Sequence, residues 1–290
     1  MYDICCIGHI TSDKVVTTRS ELYMPGGTAY YFSCAVSKLP LQYLLATAIA
    51  PAEMHYVKQL EDMGTTVKVQ ESQHTVFFEN IYGENQDDRT QNVLETADQF
   101  AIPQFDAVDA QYFHLGPLLA GDISTELIQT LATKGKVSLD VQGYLRQVID
   151  HKVYPAQWDE KQQALQYVDI VKADIAELRT LSGKDTVAEG AELLAKWGVK
   201  EIVITNGSQG SQIYADGIWF DIPAYAPNEV VDATGCGDTY MAGYLYQRQK
   251  GASIPDAGNF AAAMAGLKTA KPGAFTGTED DVLTFMRAKD

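Results

Sequence analysis

Positive charge is the first thing this chain lacks. Lys and Arg total 22 against 38 Asp and Glu, a net charge of −16 over 290 residues. Phosphate backbones and anionic bilayers need a basic surface, so neither nucleic acid nor membrane is expected as a partner. No run of about 18 apolar residues offers a transmembrane helix. Met1-Tyr2-Asp3-Ile4 also lacks the basic start and apolar stretch of a signal peptide, so a cytoplasmic location is the expectation. Cysteine is scarce: there are four, with Cys5 and Cys6 adjacent in an apolar run and no CxxC or Cys/His spacing. Reduced thiols follow, rather than disulfides or a zinc site. The pattern GxxxxGK[ST] is missing, which excludes the P-loop route to phosphoryl transfer. Internal repeats, low-complexity tracts and linkers are absent too, and a single domain over residues 1–290 is expected.

What remains is an ordinary globular composition, 46% hydrophobic and 21% charged, long enough to bury a large core. Short apolar runs alternate with helical patterns. Tyr2 to Ile7, Leu44 to Ala50, Tyr112 to Leu115, Val137 to Asp140, Ile170 to Lys172 and Glu201 to Thr205 read as strands. Ser33 to Leu39, Glu53 to Met63, Ser124 to Lys134, Ile175 to Leu181 and Val187 to Trp197 read as helices. Such alternation predicts an α/β fold: a doubly wound, mostly parallel sheet with helices on both faces. Two ribbon-like segments, about 14–24 and 74–94, interrupt it and are expected to form a small β lid. In doubly wound sheets ligands bind beyond the carboxyl ends of the strands, so the Asp, Gly and Asn residues there are the candidates for chemistry. Asp140 and Arg146 fall on that face.

The densest signal is Val231-Asp232-Ala233-Thr234-Gly235-Cys236-Gly237-Asp238-Thr239, followed by a helical stretch from Tyr240. Two glycines let the backbone turn sharply and bring its amides close to a ligand. Free amides at a helix start bind anions, so the turn is a phosphate cradle. Asp238 stands in the first helical turn beside it. A carboxylate next to a phosphate is useful there as the base for an attacking hydroxyl. Taken alone, the segment also reads as a glycine turn with an Asp near a helix start. Cys236, at that helix start, is expected to carry a lowered thiol pKa and to be reactive.

Asp-x-Thr-Gly-x-Gly-Asp at this place resembles the second signature of the PfkB, or ribokinase-like, carbohydrate kinases, and the resemblance extends over most of the chain. Gly8 to Asp13 resembles the family's first strand end, which implies that Asp13 binds substrate hydroxyls. Gly26-Gly27 resembles its Gly-Gly pair, where substrate approaches the backbone. Thr205-Asn206-Gly207-Ser208-Gln209-Gly210 resembles its nucleotide turn, and Asp174-Ile175-Ala176-Glu177 its Asn-x-x-Glu element near magnesium and phosphate. Asp174 and Glu177 are expected to share one helical face. Asn206-Gly207 is equally a hairpin signal.

The resemblance implies an enzyme moving the γ-phosphate of ATP to a hydroxyl of a sugar or nucleoside. Asp238 would be the base, and the amides of Gly235, Cys236 and Gly237 would hold the transferring group. ATP would lie at Thr205, Gly207, Gly210, Asp174 and Glu177, with Mg²⁺ near Glu177 through water. It further implies a monovalent cation such as K⁺ bordering Asp232, and a homodimer through the lid. Departures are Tyr31 where the family has Asn, Asp174 for Asn, and Cys236 for Ala. Tyr31 is expected at the substrate, either packed against the lid or laying its ring on a flat, apolar part of a nucleoside or cyclitol. Alternatives are a kinase for a cyclitol or a sugar phosphate, the latter drawing on Lys14, Arg19, Arg89 or Arg146, and a non-catalytic binder of the same fold.

Overall fold

The computed structural model describes residues 1–17, 21–82 and 89–288, and the structural statements below concern those residues. Strand Tyr43–Ile49 is buried along its whole length, as a parallel strand covered on both faces must be. It belongs to a nine-stranded sheet whose spatial order is Ile218–Ile222, Ser211–Ala215, Glu201–Thr205, Ile170–Asp174, Lys136–Asp140, Ala110–Gly116, Tyr2–Gly8, Tyr43–Ile49, Thr66–Glu71. Neighbours from Glu201–Thr205 to Thr66–Glu71 run parallel, and the first two strands complete an antiparallel edge. Helices Gly27–Val36, Cys236–Gln249 and Ile254–Thr269 cover one face, and Thr125–Ala132, Ile175–Ser182 and Val187–Lys196 the other. No described helix is long and apolar enough to cross a membrane.

This is the doubly wound α/β architecture that the alternation predicts. From Tyr2–Gly8 the chain winds to one side, and from Ala110–Gly116 it winds to the other. The order therefore reverses between these two neighbours, opening a crevice at Gly8 and Gly116, where such sheets bind ligands.

Over that crevice stands a second sheet of six strands, ordered Arg146–Ile149, Lys152–Pro155, Arg89–Glu95, Val76–Tyr82, Thr11–Val16, Glu21–Gly26. The expected lid segments, about 14–24 and 74–94, contribute to it, except that residues 18–20 and 83–88 lie outside the described residues. The hairpin Arg146–Pro155 is a third, unexpected contributor. One face of the sheet packs Val76, Phe78 and Val93 onto Leu118 and Leu119, just past Gly116. Register puts Thr11, Asp13, Asn80 and Gln91 on this same inward face, because Asp13 pairs with Phe78, Phe78 with Val93, and Asn80 with Gln91.

Candidate active site

Two helices begin at the crevice without a side-chain cap. Gly27–Val36 starts from Gly26 and Cys236–Gln249 from Gly235. Elsewhere Ser124, Asp174, Thr186, Ser253 and Thr278 supply capping oxygens. The uncapped ends keep first-turn amides available to an anion. Glycine is required at both. A side chain on Gly26 would overlap Asp13 Oδ2 and crowd Thr11 Oγ1, which approach this backbone directly. Gly235 has φ 72, and a Cβ there would run into the Tyr31 ring.

Asp238 sits in the first turn of the cradle helix and is half-buried. Burial raises its carboxyl to about 6; Asp140 adds to the rise, whereas a hydrogen bond from Thr28 and the charge of Lys172 oppose it. Lys172 comes from the middle of strand Ile170–Asp174, with Nζ 3.0 Å from Asp140 Oδ2 and 3.8 Å from Glu177 Oε2. It also reaches the cradle, since a Cβ on Gly237 would lie 3.3 Å from Nζ. Burial works against its charge, but Asp140 and Glu177 outweigh that and hold it above the ordinary lysine range. Beside these groups lies a cavity of about 430 Å³ lined by Lys172, Asp174, Glu177, Thr205, Gly207 and Gly237. A buried cation and the uncapped start of a helix thus border one polar hollow, and the Asp238 carboxyl stands in the first turn of that helix, next to Gly237. That arrangement suits phosphoryl transfer to a hydroxyl.

The profile of the pfkB family carbohydrate kinases matches residues 37–281. This chain belongs to that family. It is a kinase of pfkB type, and known proteins agree. A cytidine kinase from Thermococcus kodakarensis is 26% identical over 269 residues, covering 88% of this chain and 92% of its own. A pyrophosphate-dependent kinase in the ribokinase family, complexed with a pyrophosphate analogue and myo-inositol, matches with TM-score 0.84 at 26% identity, covering 97% of this chain and 99% of its own. Ribokinase of Arabidopsis thaliana, complexed with ribose and ATP, matches with TM-score 0.81 at 19% identity over 99% of both chains, a likeness of fold.

On this pfkB-family fold the residues picked from the sequence separate. Asp13, Gly26 and Gly27 adjoin at the crevice, and Gly27 takes φ 80 where a side chain would meet His9 O. Gly235, Gly237 and Asp238 form the cradle. Thr205, Gly207, Asp174 and Glu177 line the polar hollow.

Several expectations need correction. Gly210 closes the hairpin instead of lining the hollow: it accepts from Asn206 N at 2.8 Å, and its φ of 90 lies where a Cβ would strike Ile222 O. Cys236 does not offer its amide, which donates to Ala233 O at 3.2 Å. Its thiol reaches Ala265 O at 3.6 Å, and burial raises its pKa instead of lowering it. Asp174 and Glu177 do lie together on one side of the hollow, but not as two helical residues. Asp174 is the N-cap, and the pair exchanges backbone-to-carboxylate bonds of 2.7 Å in a capping box. Tyr31 is 4% exposed, its ring laid under Gly235 with Asp13, Asp232 and Asp238 nearby, so it supports the cradle instead of presenting an open wall. Lys14 points to the outer face and pairs with Glu21 and Glu79, each at 3.3 Å, which removes it from the basic candidates. Arg19 and the Arg89 side chain lie outside the described residues, while Arg146 opens strand Arg146–Ile149.

Sequence reasoning missed Thr28 and Lys172. Lys172 had a signal: a lysine in an otherwise apolar strand is a buried charge that needs a partner. Thr28 had none, because its bond to Asp238 joins residues far apart in the chain.

Proposed function

We propose that this kinase transfers the terminal phosphoryl group of ATP to a hydroxyl of a small polyhydroxylated ring, a sugar or cyclitol, with Asp238 as general base. The carrying observation is the Asp238 carboxylate, held near pH 6 between the Asp13–Gly26 side of the crevice and the Lys172–Gly237 side. The acceptor binds under the second sheet, its hydroxyls meeting Asp13 and the Gly26–Gly27 backbone. Asp238 takes the proton of the attacking hydroxyl as its oxygen bonds to phosphorus and the leaving phosphate departs. The Gly237 and Asp238 amides and Lys172 balance charge on the transferring group. The donor's remaining phosphates run along Thr205 and Gly207. A magnesium ion fits as one held mainly by the donor: the two carboxylates that line the hollow, Asp174 and Glu177, are both engaged in the capping box, so contact through water would suit its octahedral demand. Bound there, it neutralises phosphate charge.

Acceptor class is supported by an amide pair on the inward face of the lid. Gln91 Nε2 donates to Asn80 Oδ1 at 3.0 Å, and Asn80 is 6% exposed. Amides offer donors and acceptors to hydroxyls and suit a polyol ring better than a flat base. Similarity to the structure complexed with myo-inositol points the same way.

A second donor, pyrophosphate, is favoured by that same relative. The homodimer is supported by Tyr23, Ile81, Ile149 and Tyr154, exposed apolar side chains on the outer lid face. The decisive experiment crosses ATP and pyrophosphate with sugars, cyclitols and nucleosides and follows product phosphate by ³¹P NMR. Transfer to a sugar or cyclitol supports the proposal. Transfer to nucleosides alone refutes the acceptor, and donor binding without any transfer leaves the non-catalytic binder.

A further inference from the structure

Lys268 lies in the last turn of helix Ile254–Thr269, with its side chain wholly buried. Its ammonium donates to two oxygens of one residue, Asp232 O and Asp232 Oδ2, each at 2.8 Å. Asp232 also accepts from Thr234 N at 2.9 Å and Gly273 N at 3.2 Å. Behind it, Val231 N and Asp232 N donate to Thr269 O at 2.7 and 3.3 Å. Three segments therefore meet at this point: the approach to the cradle, the end of the helix and the turn after it. Gly235, three residues on, starts the cradle itself.

A lysine gives up all exposure only when acceptors await its donors. Elsewhere this helix buries mostly alanine, phenylalanine and methionine, so apolar packing alone does not call for lysine. The side chain places one fixed positive charge behind the phosphate cradle, held by a carbonyl and a carboxylate. Such a pair of oxygens is what a monovalent cation takes, and an ammonium resembles K⁺ in size and charge. A bordering K⁺ at Asp232 therefore does not fit: the oxygens it would need are already bonded.

We infer that Lys268 is a tethered substitute for a monovalent cation. It is a positioning residue that touches neither donor nor acceptor, fixes the Asp232–Gly235 turn, and makes the enzyme indifferent to K⁺.

The activity readout rests on the phosphotransfer reading, so a measurement without turnover accompanies it. At fixed ionic strength, kcat/KM of the unmodified enzyme should vary by less than about twofold among K⁺, Na⁺, NH₄⁺ and tetramethylammonium, which a K⁺-activated enzyme would not do. Lys268→Ala leaves room for an ion and should lose about a hundredfold in kcat, the scale of a misplaced catalytic turn. K⁺ or NH₄⁺, but not tetramethylammonium, should restore much of it. Lys268→Met keeps the stem without the charge or the room and should stay low in every salt. Thermal unfolding reads the same site: K⁺ and NH₄⁺ should raise Tm of Lys268→Ala above its value in tetramethylammonium and leave the unmodified protein unmoved. Severalfold K⁺ activation of the unmodified enzyme overturns the inference even if neither variant folds. So does full activity of Lys268→Met, or a Lys268→Ala that folds but responds to no cation by either readout.

Discussion

Replacing Asp238 with Asn should make the protein more stable and nearly inactive, and the two effects should have different pH dependences. Burial raises the Asp238 carboxyl to about 6, with Asp140 adding to the rise. A carboxyl raised on folding is protonated in both states at low pH and ionised in both at high pH. Its ionisation therefore removes stability as pH climbs from the unfolded value through about 6, and the loss persists above that. The gap corresponds to about 3 kcal/mol once both states are ionised. Asn cannot ionise, so Asp238→Asn escapes the loss. Its unfolding free energy in urea should exceed the parent's by about 2–3 kcal/mol near pH 8 and by about half as much near pH 5.

Turnover moves the other way. The base must be ionised, so parent kcat/KM should rise with pH through about 6 and level off. Asp238→Asn should fall at least about a hundredfold, the usual scale for a positioned base, and lose that limb. Donor binding should persist, because the amides and Lys172 remain. Neighbouring titratable groups are Asp140, Glu177 and Lys172, and Asp140→Asn should lower the apparent pKa of the limb. A stability difference that is absent, or identical at pH 5 and pH 8, would refute the burial argument. Turnover within threefold of the parent would remove Asp238 from the base role.

Lys172→Met should destabilise the fold by about 3–5 kcal/mol, because Asp140 is left buried without its partner. It should also raise the KM for the donor more than that for the acceptor, as steady-state kinetics on a folded sample would read. Gly235→Ala forces φ 72 on a residue with a Cβ and drives it into Tyr31. Loss of about 1–3 kcal/mol and of donor binding is expected, partly recovered in a Tyr31→Ala background, where chemical denaturation measures the coupling. Cys236, its thiol raised by burial, should react with iodoacetamide more slowly than a free thiol, and mass spectrometry of the native protein would test this. Removing magnesium with a chelator should abolish transfer and weaken donor binding, seen by calorimetry, because Lys172 already shares its charge with two carboxylates.

The fold was legible because parallel strands covered on both faces leave plain apolar runs, such as Tyr43–Ile49. Hairpin Arg146–Pro155 was not. Its strands are four residues each, and its turn puts Asp150 and His151 at φ 48 and 63, a primed geometry normally signalled by Asn-Gly or Asp-Gly. The first helix also begins earlier than its apolar spacing suggests, at Gly27 rather than Ser33, and ends at Val36. Gly-Gly reads as a turn, and Tyr30-Tyr31-Phe32 are middling helix formers. Burial of Tyr31 and Phe32 overrides that preference. In the site, glycines and terminal carboxylates stood out because they act through local backbone geometry. Thr28, Lys172 and Lys268 act through contacts between distant segments, and spacing along the chain carries no trace of those.

An excess of acid runs through the site as well as the surface. Asp13, Asp140, Asp174, Glu177, Asp232 and Asp238 lie at or beside the crevice, against Lys172 and Lys268 among its described residues. Each lysine is buried and bonded to carboxylate, which takes away most of the long-range attraction that a free cation gives an anion. The cleft therefore does not gather phosphate by its field. On the proposed reading it would hold phosphate by geometry: two uncapped helix ends, glycines that let them close in, and the Lys172 ammonium beside the hollow. A donor arriving with its own divalent cation meets little repulsion, while a bare polyphosphate meets the carboxylates first. Asp140 and Glu177, which would disfavour a bare polyphosphate, also add to the rise that burial itself gives the Asp238 carboxyl, into the range where a base works near neutrality.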